Sequence, residues 1–361
     1  MKPLLGFLAA FGVTFVLLPK LTHIAASIGL IDHPGKRKVH NRPKPLVGGI
    51  GMMIGISISL LLFTPLVNLR GFYAGMLALA IVGFLDDFRE LDHWWKFYVQ
   101  VFASACVIVF SGATLHTFGD LLSLGPIDFP VLSLPMTVFC IVGVVNAVNM
   151  IDGLDGLAGG ISFIAFASFA VLSYIGNYPN LVLLSVAFCG ALLAFLWYNW
   201  HPSKLFMGDA GSLTLGFALA FLSIAVTQRQ GSPVPPVASL LIMAVPITDT
   251  VTVMLKRALS GKSPFHADKS HLHHMLLRMG FSKREAVLIM YLISFVFSIT
   301  AVGGTILNLP EHSLFFVFVV YFTVYFAASF HVRKIIRAVG VFRRRLAHDV
   351  GLSPAGAVRR D

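Results

Sequence analysis

Apolar residues run along this chain in long blocks, and polar residues gather in the gaps between them. The blocks fall at about 3–23, 46–66, 71–88, 95–115, 130–148, 158–176, 181–199, 210–227, 234–255, 286–308 and 313–333. Each is close to the ~17–25 residues that a helix needs to cross a bilayer. The pattern predicts an all-α polytopic integral membrane protein with about eleven transmembrane helices. The fifth block is the weakest, because Pro135 interrupts it, and the short apolar run at 120–130 reads as loop or interfacial. No small-residue cleavage pattern follows the first block, so it reads as a retained span rather than a signal peptide.

Composition agrees. Of the 361 residues, 57% are hydrophobic and only 12% charged, which no soluble domain of this length matches. Cys106, Cys140 and Cys189 all fall inside apolar blocks and read as packing residues, not as a disulfide framework or a zinc site. With no tandem repeat and no soluble domain visible, the expected organisation is one transmembrane domain over 1–333 and a basic tail over 334–361.

The net charge of +11 fits nucleic acid, acidic lipid, an anionic substrate or simple topology. Its position decides. Eleven spans put the two ends on opposite sides, and an external N-terminus leaves only Lys2, Arg70 and Arg229 of the 27 basic residues outside. The expected orientation is therefore N-terminus out and C-terminus cytoplasmic, and nucleic acid is not an expected partner. The Arg343-Arg344-Arg345 and Arg359-Arg360 runs of the tail read as a topology anchor drawn to anionic inner-leaflet lipid.

The same orientation collects the unusual polar residues on the inner side. Asn146-Ala-Val-Asn149-Met-Ile-Asp152-Gly-Leu-Asp155-Gly lies between two apolar blocks, where a lipid-facing helix would not accept its carboxylates. It belongs at a membrane surface or on a polar cavity. Asp86 and Asp87 end the third block; two adjacent carboxylates repel, and a helix C-terminus is a poor place for either, so a bound cation is favoured. Asp209, between Gly208 and Ala210-Gly211, reads alone as a helix cap. With Asp86, Asp87, Asp152 and Asp155 it makes five carboxylates at one depth, an oxygen-only set that suits Mg²⁺, or Mn²⁺, rather than zinc.

Basic groups complement those acids: Lys36, Arg37, Lys38, His40, Arg42, Lys44, Lys96 and Lys204 lie in or beside the same inner loops. Some of them are needed to bind a polyanion such as diphosphate. Lys96, at the start of a span, is the least like a free surface lysine. His271, His273 and His274 belong to the large inner loop; lacking a third ligand for zinc, they suit contact with phosphate near neutral pH. Asp249 is the one acid that clearly enters the membrane, in a supporting or a substrate-contacting role.

Taken in order, Asp-Asp, Asn-x-x-Asn-x-x-Asp-Gly-x-Asp-Gly-Leu, Phe-Met-Gly-Asp-x-Gly-Ser and His-x-His-His resemble the motifs of bacterial polyprenyl-phosphate N-acetylhexosamine-1-phosphate transferases, over about Gly29 to Gly280. Pro45-Leu-Val-Gly-Gly and the His271-Leu-His-His run are more similar to the UDP-GlcNAc-using branch than to the peptidoglycan branch, which uses UDP-MurNAc-pentapeptide. The resemblance implies transfer of a sugar 1-phosphate from a UDP-sugar to undecaprenyl phosphate, with release of UMP, on the cytoplasmic face of a bacterial inner membrane. It implies Asp209 as the Mg²⁺ ligand, with Asn149 adjoining metal or diphosphate. Asp152 and Asp155 would position the nucleotide sugar, with Asp86 and Asp87 where the lipid phosphate arrives. Lys96, Asn146, Lys44, His271, His273 and His274 are the expected substrate-binding residues, and a homodimer is carried as a partner expectation. The other readings are the peptidoglycan-type reaction, a secondary transporter and a non-catalytic scaffold.

Overall fold

A computed structural model describes residues 1–33, 43–65, 67, 69–261, 271–331 and 334. The basic run at 36–42 and the tail from 335 onward lie outside the described residues. The chain is an all-helical, multi-pass membrane protein. Its helices are α1 (Lys2–Ile28), α2 (Gly48–Phe63), α3 (Arg70–Arg89), α4 (His93–Ser111), α5 (Ser133–Ile151), α6 (Leu157–Ile175) and α7 (Pro179–Asn199). They continue as α8 (Gly208–Thr227), α9 (Pro236–Ile242), α10 (Ala244–Leu259), α11 (Leu272–Arg278), α12 (Lys283–Ile306) and α13 (Glu311–Phe330).

Among the described residues nine helical segments are long and apolar enough to cross a bilayer. Two of the eleven expected spans depart from that standard. The second is only the 16-residue α2. The ninth is not one helix: α9 and α10 meet at Met243 with a bend of 76°. Pro246 supplies the reason, since it has no N–H to donate toward the Ile242 carbonyl and its ring crowds that turn. Pro135, expected to weaken the fifth span, does not. A short 3₁₀ turn at Pro130–Leu132 leads into α5, placing Pro135 in the first turn, where a missing N–H costs nothing.

α8 is the axis of the bundle, and every residue from Ala210 to Thr227 is buried. Small residues let its neighbours close on its first turn. A Cβ at Gly49 of α2 would stand 2.2 Å from the Gly211 nitrogen, and one at Gly83 of α3 would stand 2.4 Å from the Ala210 backbone. α5 crosses farther along, where Gly216 meets the Val145 backbone. These contacts fix the start of α8 against the ends of α3 and α5, which carry the acids of the sequence motifs. Two short strands, β1 (Ile31–Asp32) and β2 (Lys44–Pro45), pair antiparallel beside it. The chain then bridges to Phe206, with Gly48 and Gly49 donating to the Phe206 and Met207 carbonyls.

Candidate active site

At the end of the bundle where α8 begins lies a cavity of about 1200 Å³. Its walls include Lys44, Asp86, Asp87, Asn149, Asp152, Asp155, Asp209 and His274. Four separated motifs thus meet in one space, as their common depth in the sequence predicted.

Lys96 joins two of the carboxylates in that wall. Its Nζ donates to Asp86 Oδ2 and to Asp209 Oδ2, at 2.9 Å each. The other Asp86 oxygen accepts the Leu91 N–H at 2.8 Å, and Asp209 Oδ1 accepts from Asn149 Nδ2 at 3.1 Å. Asn149 also donates to Ser212 Oγ at 2.8 Å, so its amide nitrogen is spent on α8. Two carboxylate oxygens converging on one ammonium mark a place built for positive charge.

Asp87 has a different task from its neighbour. Its oxygens accept the N–H groups of Asp209 and Ala210, at 2.7 and 3.2 Å, and so cap α8 from another helix. Gly208, with φ of +72°, allows this, because a Cβ there would stand 2.3 Å from Asp87 Oδ2. Read alone in the sequence Asp209 suggested a helix cap; in the fold Asp87 caps that turn, and the Asp209 side chain faces the cavity with the other acids. Asp87→Asn keeps an acceptor oxygen, whereas Asp87→Ala leaves two buried donors unpaired. Alanine is therefore expected to cost ~1–2 kcal/mol more than asparagine. Melting curves of the two variants check the order.

Asp155 is also structural in its contacts. It accepts from His201 Nδ1 at 2.7 Å, from Ser203 N at 3.1 Å and from Ser203 Oγ at 2.8 Å. Lys44 Nζ donates to Ser203 Oγ at 2.6 Å and lies 3.5 Å from Asp155 Oδ1 and 4.7 Å over the Phe206 ring. Burial works against the Asp155 charge, but the His201 and Ser203 hydrogen bonds and the Lys44 charge outweigh it and hold the carboxyl below its usual range. Asn199 adds a second tie, accepting from Gly156 N and donating to the Leu205 carbonyl, at 2.8 Å each. Tyr291 of α12 donates to the Gly156 carbonyl. The loop after α5 and the loop after α7 are thereby clamped together.

Asp152 contrasts with all of these. It lines the cavity, and its carboxyl makes no hydrogen bond or ion pair among the described residues. Desolvation by the surrounding protein, followed by the charges of Asp209 and Asp155, pushes its carboxyl up to about 7. Solvent reaches its surface, so that desolvation reflects crowding within a bowl rather than enclosure.

The remaining expected residues separate. Asn146 stands behind the cavity, exchanging hydrogen bonds with Gln100 and donating to the Val142 carbonyl. Of His271, His273 and His274, only His274 lines the cavity. His271 Nδ1 donates to Asp249 Oδ2 at 2.8 Å, and Asp249 Oδ1 also accepts from Leu272 N and from Tyr325. Asp249 therefore anchors α11 to α10 and α13; it is not an open midplane acid of the kind a transporter uses. His273 is buried with its Nε2 against Gly153, where a Cβ would stand 2.5 Å away. Burial first, then the His274 charge, pushes it down to about 3, so it packs as a neutral ring. Sequence reasoning gave no role to Ser203, His201, Asn199 or Tyr291. The first three lie just before the Phe-Met-Gly-Asp-x-Gly-Ser motif, whereas a tyrosine in an apolar helix gives no local signal.

The fold is that of a multi-pass membrane protein, a helix bundle with an acid-lined cavity at one end whose Asp86 and Asp209 both pair with Lys96. Residues 69–227 match the model of Glycosyl transferase family 4. A Bacillus subtilis protein named probable undecaprenyl-phosphate N-acetylglucosaminyl 1-phosphate transferase is 36% identical over 301 residues, covering 82% of this chain and 83% of that one. Undecaprenyl-phosphate alpha-N-acetylglucosaminyl 1-phosphate transferases of Haemophilus influenzae and Escherichia coli K12 are 32% and 30% identical, over 94% and 92% of this chain and 96% and 92% of theirs. The chain belongs to glycosyl transferase family 4.

Proposed function

We propose that this protein transfers N-acetylglucosamine 1-phosphate from UDP-GlcNAc to undecaprenyl phosphate, releasing UMP, at the cytoplasmic face of the bacterial inner membrane. The observation that carries the reading is the convergence of Asp86 and Asp209 on Lys96 at the wall of the cavity. The names of the relatives supply the substrates, and the concentration of basic residues at the cavity end supports the cytoplasmic face.

The donor set fits Mg²⁺, with Mn²⁺ as the alternative. Among the described residues no three His, Cys, Asp or Glu side chains form a cluster able to enclose a metal ion. Mg²⁺ needs no such cage: one or two carboxylates suffice when substrate phosphates and water complete the shell. Asp209 and Asp86 would hold it, with the Asn149 side chain adjoining. Bound there, Mg²⁺ supplies charge neutralisation on the diphosphate.

The chain's own residues do the rest. Lys96, positioned by Asp86 and Asp209, adds positive charge to the phosphoryl group in transfer. The clamped loops of Gly156 and Ser203 give the nucleotide sugar a rigid wall, which limits the entropy lost on orientation. Asp152 accepts from a hydroxyl or a phosphate proton of the substrates. The acceptor is itself a phosphate monoester, with a second pKa near ~6, so it reaches the site largely as a dianion. It attacks in line without a protein nucleophile: its oxygen bonds to the β-phosphorus of UDP-GlcNAc as the bond to the bridging oxygen breaks, and UMP leaves with that oxygen. Asp86 and Asp87 both have their two oxygens engaged, which disfavours a covalent aspartyl phosphate on either.

The expected result with delipidated protein is no exchange of labelled UMP into UDP-GlcNAc until the lipid-linked product is added. Exchange without lipid would establish a covalent intermediate and contradict direct attack.

A further inference from the structure

A second cavity, of about 520 Å³, lies at the other end of α8 and has no part in the transfer. Across the 20 residues of α8 the two cavities stand ~30 Å apart, about the thickness of a bilayer's apolar core. Its volume falls within the ~300–1,000 Å³ of small-molecule sites.

This cavity has a defined wall, floor and mouth. Gln228 forms the wall by pinning the loop that follows α4: its Oε1 accepts from His116 N at 3.0 Å and Thr117 N at 3.2 Å, and its Nε2 donates to the Thr117 carbonyl. Leu69, Leu181, Phe221 and Ile224, all buried, make an apolar floor. Arg229 stands at the mouth. Its guanidinium lies 4.4 Å over the Tyr178 ring, and its Nε donates to the Ala225 carbonyl at 3.0 Å. Those contacts hold the fork in place, while its terminal nitrogens make no hydrogen bond or ion pair among the described residues.

The sign of the site follows from its side chains. Among the described residues the titratable side chains lining it are His116 and Arg229, and no carboxylate does. α3 and α7 begin at this end whereas α4 and α8 finish there, so the helix dipoles offset one another. A guanidinium held by Ala225 and Tyr178, with its terminal nitrogens unpaired among the described residues, is suited to a phosphate oxygen. An apolar floor beneath it is suited to a carbon chain.

We propose that this cavity binds the phosphate group of an amphiphile, with Arg229 and His116 on the oxyanion and the chain on the Leu69–Phe221 floor. The phosphate of a phospholipid headgroup in the adjoining leaflet and free phosphate share that chemistry. The proposal is independent of the transferase reading.

Native mass spectrometry of the full chain in detergent, offered equal phosphatidylglycerol and diacylglycerol, which has the same chains and no phosphate, tests it. Wild type should retain phosphatidylglycerol preferentially, and Arg229→Ala should lower that preference by about tenfold. Arg229→Lys, which keeps charge without the fork, should fall between. Inorganic phosphate that displaces phosphatidylglycerol identifies an oxyanion site open to both sources; phosphate without effect identifies a headgroup site. A melting curve like that of wild type establishes that each variant folds, and His116→Ala serves as a second variant. Equal retention of the two lipids by wild type, or a preference unchanged in both Arg229→Ala and His116→Ala, would overturn the proposal.

Discussion

Asp209→Ala is expected to reduce transfer of N-acetylglucosamine 1-phosphate by more than ~10³-fold while leaving the fold intact. Asp209 is the one carboxylate that touches both Lys96 and Asn149, on separate oxygens. Its removal takes away the principal oxygen for a divalent cation and leaves Lys96 paired with Asp86 alone. The start of α8 does not depend on it, since Asp87 caps that turn. The loss should therefore appear in turnover and in Mg²⁺ dependence, not in the melting temperature. Lipid-linked product measured against Mg²⁺ concentration checks this; full activity in a folded Asp209→Ala protein would remove the metal assignment.

Asp152→Asn should be the second large effect, at ~10²-fold near neutral pH. In the free protein Asp152 has its pKa raised to about 7 by desolvation and by Asp209 and Asp155. A raised carboxyl is protonated below that pH and charged above it. If the charged form is the one that accepts from substrate, kcat/KM rises as pH increases through about 7 and then levels. The asparagine variant, unable to titrate, should lose that limb. A pH profile in Asp152→Asn that still rises through the same region would assign the titration to another group.

Much of this arrangement was legible in the sequence, for physical reasons that differ by element. Apolar blocks declare membrane helices because the bilayer demands a fixed length, and α1, α6, α7, α8, α12 and α13 fall close to where the blocks predict. The break between α9 and α10 was missed because Pro246 was read as a residue within a span rather than as a helix breaker. Clustering of the acids on one side followed from charge alone, and the cavity at the start of α8 brings all five together.

What the sequence did not reveal was the division of labour among those acids. Asp86 and Asp87 are adjacent and look equivalent, yet a helix turns by about 100° per residue, so they face different partners. One meets Lys96 and the other the first turn of α8. Asp152 and Asp155 likewise look alike until His201 and Ser203, more than forty residues later, are seen to occupy only Asp155. Asn146 and Asn149 share a helix face in the sequence pattern, but Gln100 takes up the first while Asp209 and Ser212 take up the second. Such assignments depend on contacts between distant segments, which no local spacing records.

The most direct test of the central reading uses purified protein in a bilayer mimic with undecaprenyl phosphate, Mg²⁺ and UDP-GlcNAc labelled in both the sugar and the uridine. The expected result is labelled sugar on the lipid through a diphosphate, together with an equal amount of labelled UMP. Release of UDP in place of UMP, or no lipid-linked sugar at all, would contradict it.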